Sequence, residues 1–243
     1  MQYLTAAEMK VEFEILFDKI TNLSAPGYDN DEISLFLNLA QERILKGRLN
    51  PKGNKYGDTF EETEKRRKDF SELIRDAIDG SGNLTTSISS NQNGILPNGV
   101  FFDLPLDFLY AITERIESDI VCGTSFKQID VKPITHDQYN INVNNPFKQP
   151  DDKLAWRVDF SRENVSSTEK KRHEIITDSS YSPKKYYLRY IKRPVDINID
   201  GAIDCELDAA IHREIVAKAV EIALETVQDP RFQSMKIENN EIE

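Results

Sequence analysis

Cysteine is scarce in this chain: Cys122 and Cys205 are the two present among 243 residues. They stand far apart with no CxxC spacing, which excludes a disulfide framework and gives no support to a zinc site, so both are expected to be small buried residues in a reducing cytosol. Histidine is equally thin, with His136, His173 and His212 scattered. None has a second imidazole at the four-residue spacing that would place two ligands on one helix face, so each is expected to be a surface or hydrogen-bonded core side chain. Phosphate-binding loops of the GxxxxGKS or GxxxxGKT type are missing, as are a GxGxxG after a strand and the GxSxG nucleophile elbow. No stretch approaches the roughly 20 apolar residues of a membrane span, and the N-terminus lacks a charged-then-apolar signal pattern. The sequons at Asn22, Asn83 and Asn164 are therefore read as chance matches.

Positive charge is also in deficit. Lys and Arg number 31 against 42 Asp and Glu, for a formal net charge of −11. A protein that coats nucleic acid is normally basic, because neutralising phosphates supplies most of its affinity, so whole-surface nucleic-acid binding is disfavoured. An acidic surface remains compatible with nucleic acid passing by without sticking, since like charges repel through water over a Debye length of about 10 Å. What the chain does have is enough length for one domain with an insertion, or for two modules sharing a core. Apolar residues make up 39% and charged residues 30%, and twelve Phe, nine Tyr and Trp156 exclude a largely disordered chain.

Helical signals open the sequence. Thr5 followed three residues later by Glu8 forms a capping box, after which Met9, Phe13, Leu16, Phe17 and Ile20 repeat on one face until Ala25-Pro26-Gly27 stops the helix. A second helix starts near Asp29, with Glu32 three residues on, and carries Ile33, Phe36, Leu37, Ala40 and Ile44 inward until Gly47. The two form an antiparallel pair. A third runs roughly from Phe60 to Asp79, beginning with a charged run and burying Phe70, Leu73, Ile74, Ala77 and Ile78.

Between Gly80 and Gly99 the composition turns to Ser, Thr, Asn and Gly, with a short strand possible over Leu84 to Ile88. Strands follow at Val100 to Leu104 and Leu109 to Val121, separated by a tight turn or single helical turn over Leu104 to Phe108; a helix over Phe108 to Ile116 competes with the second strand. Val131 to Tyr139 is expected to be a strand ending in a turn, with Thr135 capping a short helix that dies at Asn145-Pro146. Further strands are placed at Leu154 to Phe160, His173 to Thr177 and Lys185 to Lys192, with a polar hairpin region from Ser161 to Lys171. The clearest helix runs roughly from Asp208 to Gln228, with Ile211, Ile215, Ala219, Ile222 and Ala223 as its stripe and Glu214 with Lys218 as an i, i+4 pair. The fold class is thus α+β: a bundle of N-terminal helices (1–80) and a C-terminal helix (204–229) packing on them, an inserted antiparallel β module (81–203), and an extended flexible tail (230–243).

Three sets of residues merit weighing for function. Asp107, Asp130 and Lys132 fit the loose Pro-Asp then Asp-x-Lys pattern of metal-dependent nucleases, in which two carboxylates hold a divalent ion and the lysine steadies the attacking water or the phosphate. The pattern is permissive, and a turn aspartate with an exposed strand lysine explains it as well. From Lys184 to Arg193, five cations interleave with three tyrosines, the recipe for single-stranded nucleic acid centred on Tyr186, Tyr190 and Arg189. Strand alternation sends Tyr186, Leu188 and Tyr190 to one face, however, and at least one tyrosine face belongs to a core. Lys184, Lys185, Arg189, Lys192 and Arg193 are then more simply an interface to acidic patches of a neighbouring copy.

The order of these pieces resembles a known group. Leu104-Pro105-Leu106-Asp107-Phe108 precedes a β-rich module, Val131-Lys132-Pro133-Ile134 leads to Asn145-Pro146-Phe147 and Pro150, Tyr186 through Pro194 closes the sheet, and Cys205-Glu206-Leu207 precedes His212-Arg213-Glu214-Ile215-Val216. From about Asp29 to Pro230 this is similar to the head-to-tail connector proteins of short-tailed phages, the adaptor or tail tubular ring proteins, and most of all to the ring proteins of crAss-like phages. One departure is Asp208, where such proteins often carry proline; aspartate is a good cap, so the helix start is expected to survive. The resemblance implies a structural virion protein of the neck or tail, assembled in the host cytoplasm. It implies a ring, commonly of twelve copies, that docks on the portal protein, contacts the next ring and forms part of the DNA ejection channel without binding DNA specifically. It brings no catalytic residues, no cofactor and no metal, and implies no membrane. The tail residues Arg231, Phe232, Met235, Ile237 and Ile242 become candidates for docking on the portal.

Overall fold

The computed structural model describes residues 3–18, 27–49, 64–77, 96–120, 126–162, 170–227 and 236. The chain divides into two compact units, one of Met1–Leu73 with Pro194–Glu243 and one of Ile74–Arg193. The α+β class expected from the sequence is what forms, with five helices and a seven-stranded sheet among the described residues.

In the first unit, α1 spans Ala6–Asp18 and α2 Asn30–Leu49. Both N-termini are built as the sequence suggests: the Thr5 amide donates to Glu8 Oε2 (2.8 Å) and the Glu8 amide to Thr5 Oγ1 (3.3 Å), while the Asp29 amide donates to Glu32 Oε2 (3.0 Å). The two helices meet through aromatic rings, Phe13 stacking on Phe36 with centroids 6.2 Å apart and Phe17 lying 5.0 Å from Tyr28. α5, His212–Val227, lies against both and buries Ile215, Val216, Ala219, Val220, Ile222, Ala223 and Leu224. On α2 the deeply buried aliphatic at the C-terminal end is Leu45 rather than Ile44, and the helix continues through Gly47 to Leu49.

α5 starts later than expected. Asp208 does cap, but it caps a preceding turn: its Oδ1 accepts from the Ala210 amide (2.8 Å) and its carbonyl from the Ile211 amide (2.9 Å), so regular helix begins at His212. The third helix is the larger correction. Among the described residues α3 covers Glu64–Phe70, a 3₁₀ turn follows at Ser71–Leu73, and the chain then becomes β1, Ile74–Asp76; the expected start at Phe60 and Ile78 lie outside the described residues. Strand pairing and the Asp76 to Arg189 ion pair override the local helical pattern there.

The second unit is that sheet. β2 is Gly99–Asp103, β3 Phe108–Ile120, β4 Phe126–Pro133, β5 Leu154–Arg162, β6 Lys170–Ile176 and β7 Tyr181–Lys192, in the order β1-β7-β3-β4-β5-β6-β2. All pairs are antiparallel except β4 with β5, which run parallel. The exception is the crossover through α4, His136–Asn142, whose capping box of Thr135 and Gln138 is complete. β3 is a strand throughout, so the competing helix over Phe108 to Ile116 does not form. β2 is launched by a turn in which the Gly99 amide donates to the Leu96 carbonyl (3.0 Å), with Pro97 second and Asn98 third at φ 58°. A side chain at Gly99 would meet Glu174 Oε1 at 2.5 Å, so the buried Glu174 carboxylate that holds the Leu96 amide would have to move.

The sheet curls on itself. Tyr186 of β7 touches Phe102 of β2 (ring centroids 5.4 Å) and His173 of β6 (2.8 Å), and Phe108 of β3 meets His173 edge-on at 5.3 Å. β7 and β3 therefore form one wall, and β5, β6 and β2 the wall facing it. Phe102, Ile116, Ile129, Ile175, Tyr186 and Leu188 fill the space between. Outside the second wall, α4 covers Trp156, Val158 and Ile176 with Tyr139.

Candidate assembly surfaces

The basic strand proposed as an interface is an interior strand, with β1 on one side and β3 on the other. Alternation places Tyr186, Leu188 and Tyr190 in the core, all 5% exposed or less. The outer row pairs with its neighbours. Lys185 Nζ reaches Glu117 Oε1 (2.9 Å), Tyr187 donates to Glu117 Oε2 (3.0 Å), and Arg189 grips Asp76 with two bonds of 2.7 and 3.2 Å. These partners hold the Glu117 and Asp76 carboxyls below the usual carboxylate range. Lys184 and Arg193 are exposed and Lys192 is half-buried.

The nuclease constellation is not assembled. Asp130 and Lys132 share the outer face of β4, where Asp130 pairs with Arg115 (2.9 Å). Asp107 precedes β3, whereas Asp130 is in register with Arg115 well along it, so the two carboxylates lie on the order of 20 Å apart at about 3.3 Å per residue. Asp107 instead accepts from Tyr190 Oη (3.0 Å), and burial together with this bond pushes the phenol up to about 12. Among the described residues, no three His, Cys, Asp or Glu side chains converge to hold a metal ion. Nor is there a stacking platform, because Tyr186 and Tyr190 are core residues.

The polar groups that do converge lie inside the curled sheet, and sequence reasoning missed them. Glu114 on β3 pairs with Arg157 on β5 across the interior, their side chains 7% and 11% exposed. Burial pushes the Glu114 carboxyl up while Arg157 pulls it back. Beside them Tyr186 Oη meets His173 Nδ1 at 2.8 Å, and His173 Nε2 lies 3.3 Å from Asp159. Burial, reinforced by the Arg157 charge, drives His173 down to about 2, so it is a neutral core imidazole. His212 is likewise internal: Leu4 donates to its Nδ1 (3.2 Å) and its Nε2 donates to the Leu207 carbonyl (2.9 Å), tying both ends of the chain's helical unit to one ring. His136 is exposed. Cys205 is buried, and burial raises its thiol to about 11. These arrangements tie elements of each unit together.

The surface carries a different signal. On α2 the polar residues Ser34, Asn38 and Gln41 face inward to hold the segment 195–199: Asn38 exchanges bonds of 3.0 and 2.7 Å with the backbone of Ile197, Ser34 accepts from Ile199 (3.2 Å), and Gln41 reaches Val195 (3.4 Å). Leu35 and Leu39 are left on the solvent side, 57% and 37% exposed. α1 exposes Val11 and Ile15 in the same i, i+4 relation. In the β unit the exposed apolar side chains include Leu106, Phe126, Ile141 and Phe147, the last 96% exposed. Single exposed apolar side chains are ordinary, but helical pairs and a fully exposed phenylalanine are the composition of contact surfaces. The sequence held a hint of one of them, since Phe147 sits between Pro146 and Pro150 with no periodic apolar partner. Cys122, the possible strand at 84–88, the three sequons and the tail residues Arg231, Phe232, Met235, Ile237 and Ile242 lie outside the described residues. Among the described residues, no helix is long and apolar enough to cross a membrane.

Residues 4–231 match the family described as phage tail ring protein 3/4. A protein of Bacteroides phage crAss001 named ring protein 4/5 is 35% identical over 231 residues, covering 89% of this chain and 90% of that protein. Ring protein 3 of the same phage is 28% identical over 211 residues, covering 81% and 84%.

Proposed function

This chain belongs to the phage tail ring protein 3/4 family, and from that premise we propose that it is the head-to-tail connector ring beneath the portal. In this reading it is a structural component of the virion tail, without catalytic turnover, and about twelve copies close into a ring whose lumen passes DNA without specific contacts. The observation that carries it is the extent of the family match. It runs from residue 4 to residue 231, through the helical unit and the β unit alike.

Two features support the finer placement. The exposed leucines of α2 and aliphatics of α1 supply apolar area for contacts between copies, each contact multiplied around the ring. The −11 charge of each copy suits a channel wall that repels phosphate, and demands opposite-sign contacts where copies meet. Lys184, Lys185, Arg189, Lys192 and Arg193 serve as that basic surface toward acidic groups of the neighbouring copy. The tail residues Arg231, Phe232, Met235, Ile237 and Ile242 dock on the portal or on the next ring.

Native mass spectrometry of the purified protein, alone and mixed with its cognate portal, tests this. A multi-copy ring in either preparation, associated with the portal in the second, is the expected result. A monomer that ignores the portal rules the connector placement out.

A further inference from the structure

We infer that the basic end of the helical unit in one copy, marked by Arg67 and Lys68, docks on the acidic end of the same unit in the next copy; the inference rests on the ring reading above. Arg67 and Lys68 close the run Lys65-Arg66-Arg67-Lys68, four cations in succession within an acidic chain. On α3 the following Asp69 and Phe70 are buried, while Arg67 and Lys68 stand exposed. The carboxylate nearest in sequence is thus turned inward, where the buried Arg48 takes it. Neither Arg67 nor Lys68 pairs with a carboxylate among the described residues. Because Arg48 lies in the last turn of α2, its bond to Asp69 fixes α3 at that end of the unit.

The other end of α2 carries the opposite sign. Asp29, Asp31 and Glu32 are exposed there, and a hairpin brings the exposed Asp200 beside them. Asn30 Nδ2 donates to Asp200 Oδ1 (2.6 Å), and the Ile199 amide donates to Ser34 Oγ (3.2 Å). The hairpin is itself closed, since Asn198 and Ile203 exchange backbone bonds of 3.1 and 2.9 Å and the Gly201 amide donates to Asn198 Oδ1 (2.8 Å). Asp29, Asp31, Glu32 and Asp200 have no Lys or Arg partner among the described residues.

Distance decides where these charges find partners. Between Asn30 and Arg48 α2 rises about 27 Å at about 1.5 Å per residue. That exceeds the Debye length of about 10 Å, so the two ends do not neutralise each other within one copy. Like ends repel, which disfavours a two-fold dimer through either patch. Unlike ends attract, and a contact between different surfaces of the same unit is heterologous, the kind that repeats around an axis and closes into a ring. One exposed ion pair contributes little; a block of them recurring at every junction contributes at each, in an assembly whose copies carry −11 apiece.

Charge reversal tests the contact. Arg67→Glu/Lys68→Glu inverts the basic end and Asp31→Lys/Asp200→Lys the acidic end, all at exposed positions. In whichever preparation of the full-length protein forms a multimer, alone or with portal, each variant should raise the concentration for half-assembly about tenfold or more at about 50 mM salt, and by less at about 500 mM, where screening is stronger. An equimolar mixture of the two variants should assemble like the unaltered protein, because in an alternating ring every junction again joins opposite charges. Native mass spectrometry reads that alternation as equal numbers of the two masses. Should a reversal disturb the monomer's circular dichroism, the neutral pairs Arg67→Gln/Lys68→Gln and Asp31→Asn/Asp200→Asn carry the test, with smaller shifts in the same direction. Variants that assemble undiminished, or whose mixture does no better than either alone, overturn the contact and leave the ring reading standing; the absence of any multimer of the unaltered protein removes both.

Discussion

Both units bury an ion pair, the helical unit near the C-terminal end of α2 and the β unit between two walls of one sheet. In the first, Met9, Phe13, Leu37, Ile215 and Ala219 fill the centre, and the buried Arg48 binds Asp69 and Glu214, fastening α2, α3 and α5 together. In the second, Glu114, Arg157 and His173 stand between two walls of the same sheet. A helix packs by area, which many side chains can supply. A curled sheet must bring particular strands face to face, and directional pairs select that closure at the expense of tolerance to change.

The sharpest way to break this contrast is Arg157→Ala. It strands the Glu114 carboxylate in the interior and should cost about 3–5 kcal/mol, read as a lowered urea midpoint, with accelerated amide exchange in β3, β5 and β6. Unchanged exchange in those strands would mean the pair does not hold the walls. Arg48→Ala should follow at roughly 3 kcal/mol, because Asp69 loses its partner at 3% exposure while Glu214 keeps access to water. Its exchange signature should appear in α2, α3 and α5.

The pH dependence sharpens the comparison further. The unfolded chain protonates His173 near 6.5, but the folded imidazole, pushed down to about 2, does not. Its stabilising contribution is therefore complete above pH 6.5 and declines on acidification, by up to about 1.4 kcal/mol per unit. Glu114, raised by burial, works in the opposite sense and gains as pH falls toward its ordinary value. His173→Gln, which preserves a bond to Tyr186, should remove the acid-side loss between about pH 6.5 and 5 in urea titrations; a slope that persists would assign it to another group. The smallest effect compares caps. Thr5→Ala and Thr135→Ala should each cost about 1 kcal/mol in thermal melts, since each removes one half of a reciprocal box, one in either unit.

Much of the helical unit was legible because helix signals are local. Thr5 with Glu8, Asp29 with Glu32 and the stripe of α5 lie within a few residues of one another. The same locality misled at Ile74–Asp76, where a helical run was diverted into a strand by partners more than a hundred positions away. Nor could it show that Ser34, Asn38 and Gln41 of α2 face inward, because segment 195–199, which they hold, lies more than 150 positions away. The candidate surfaces divide in the same way. Strand alternation put Tyr186 and Tyr190 on one face, but that this face is the core, and that Leu35, Leu39 and Phe147 are surface, followed only when their neighbours took their places.

By itself the sequence determined the α+β class, the capped helices, most strands and, through the order of its motifs, the ring-protein family, because each is written in residues close together along the chain. Only the tertiary structure decided which strand faces which across the core, that Glu114 meets Arg157 and His173 meets Tyr186, that β4 and β5 run parallel, and which apolar side chains remain for a partner. Those outcomes depend on contacts between residues distant in sequence. Periodicity reports the face a residue occupies, and only the closed fold determines what lies opposite it.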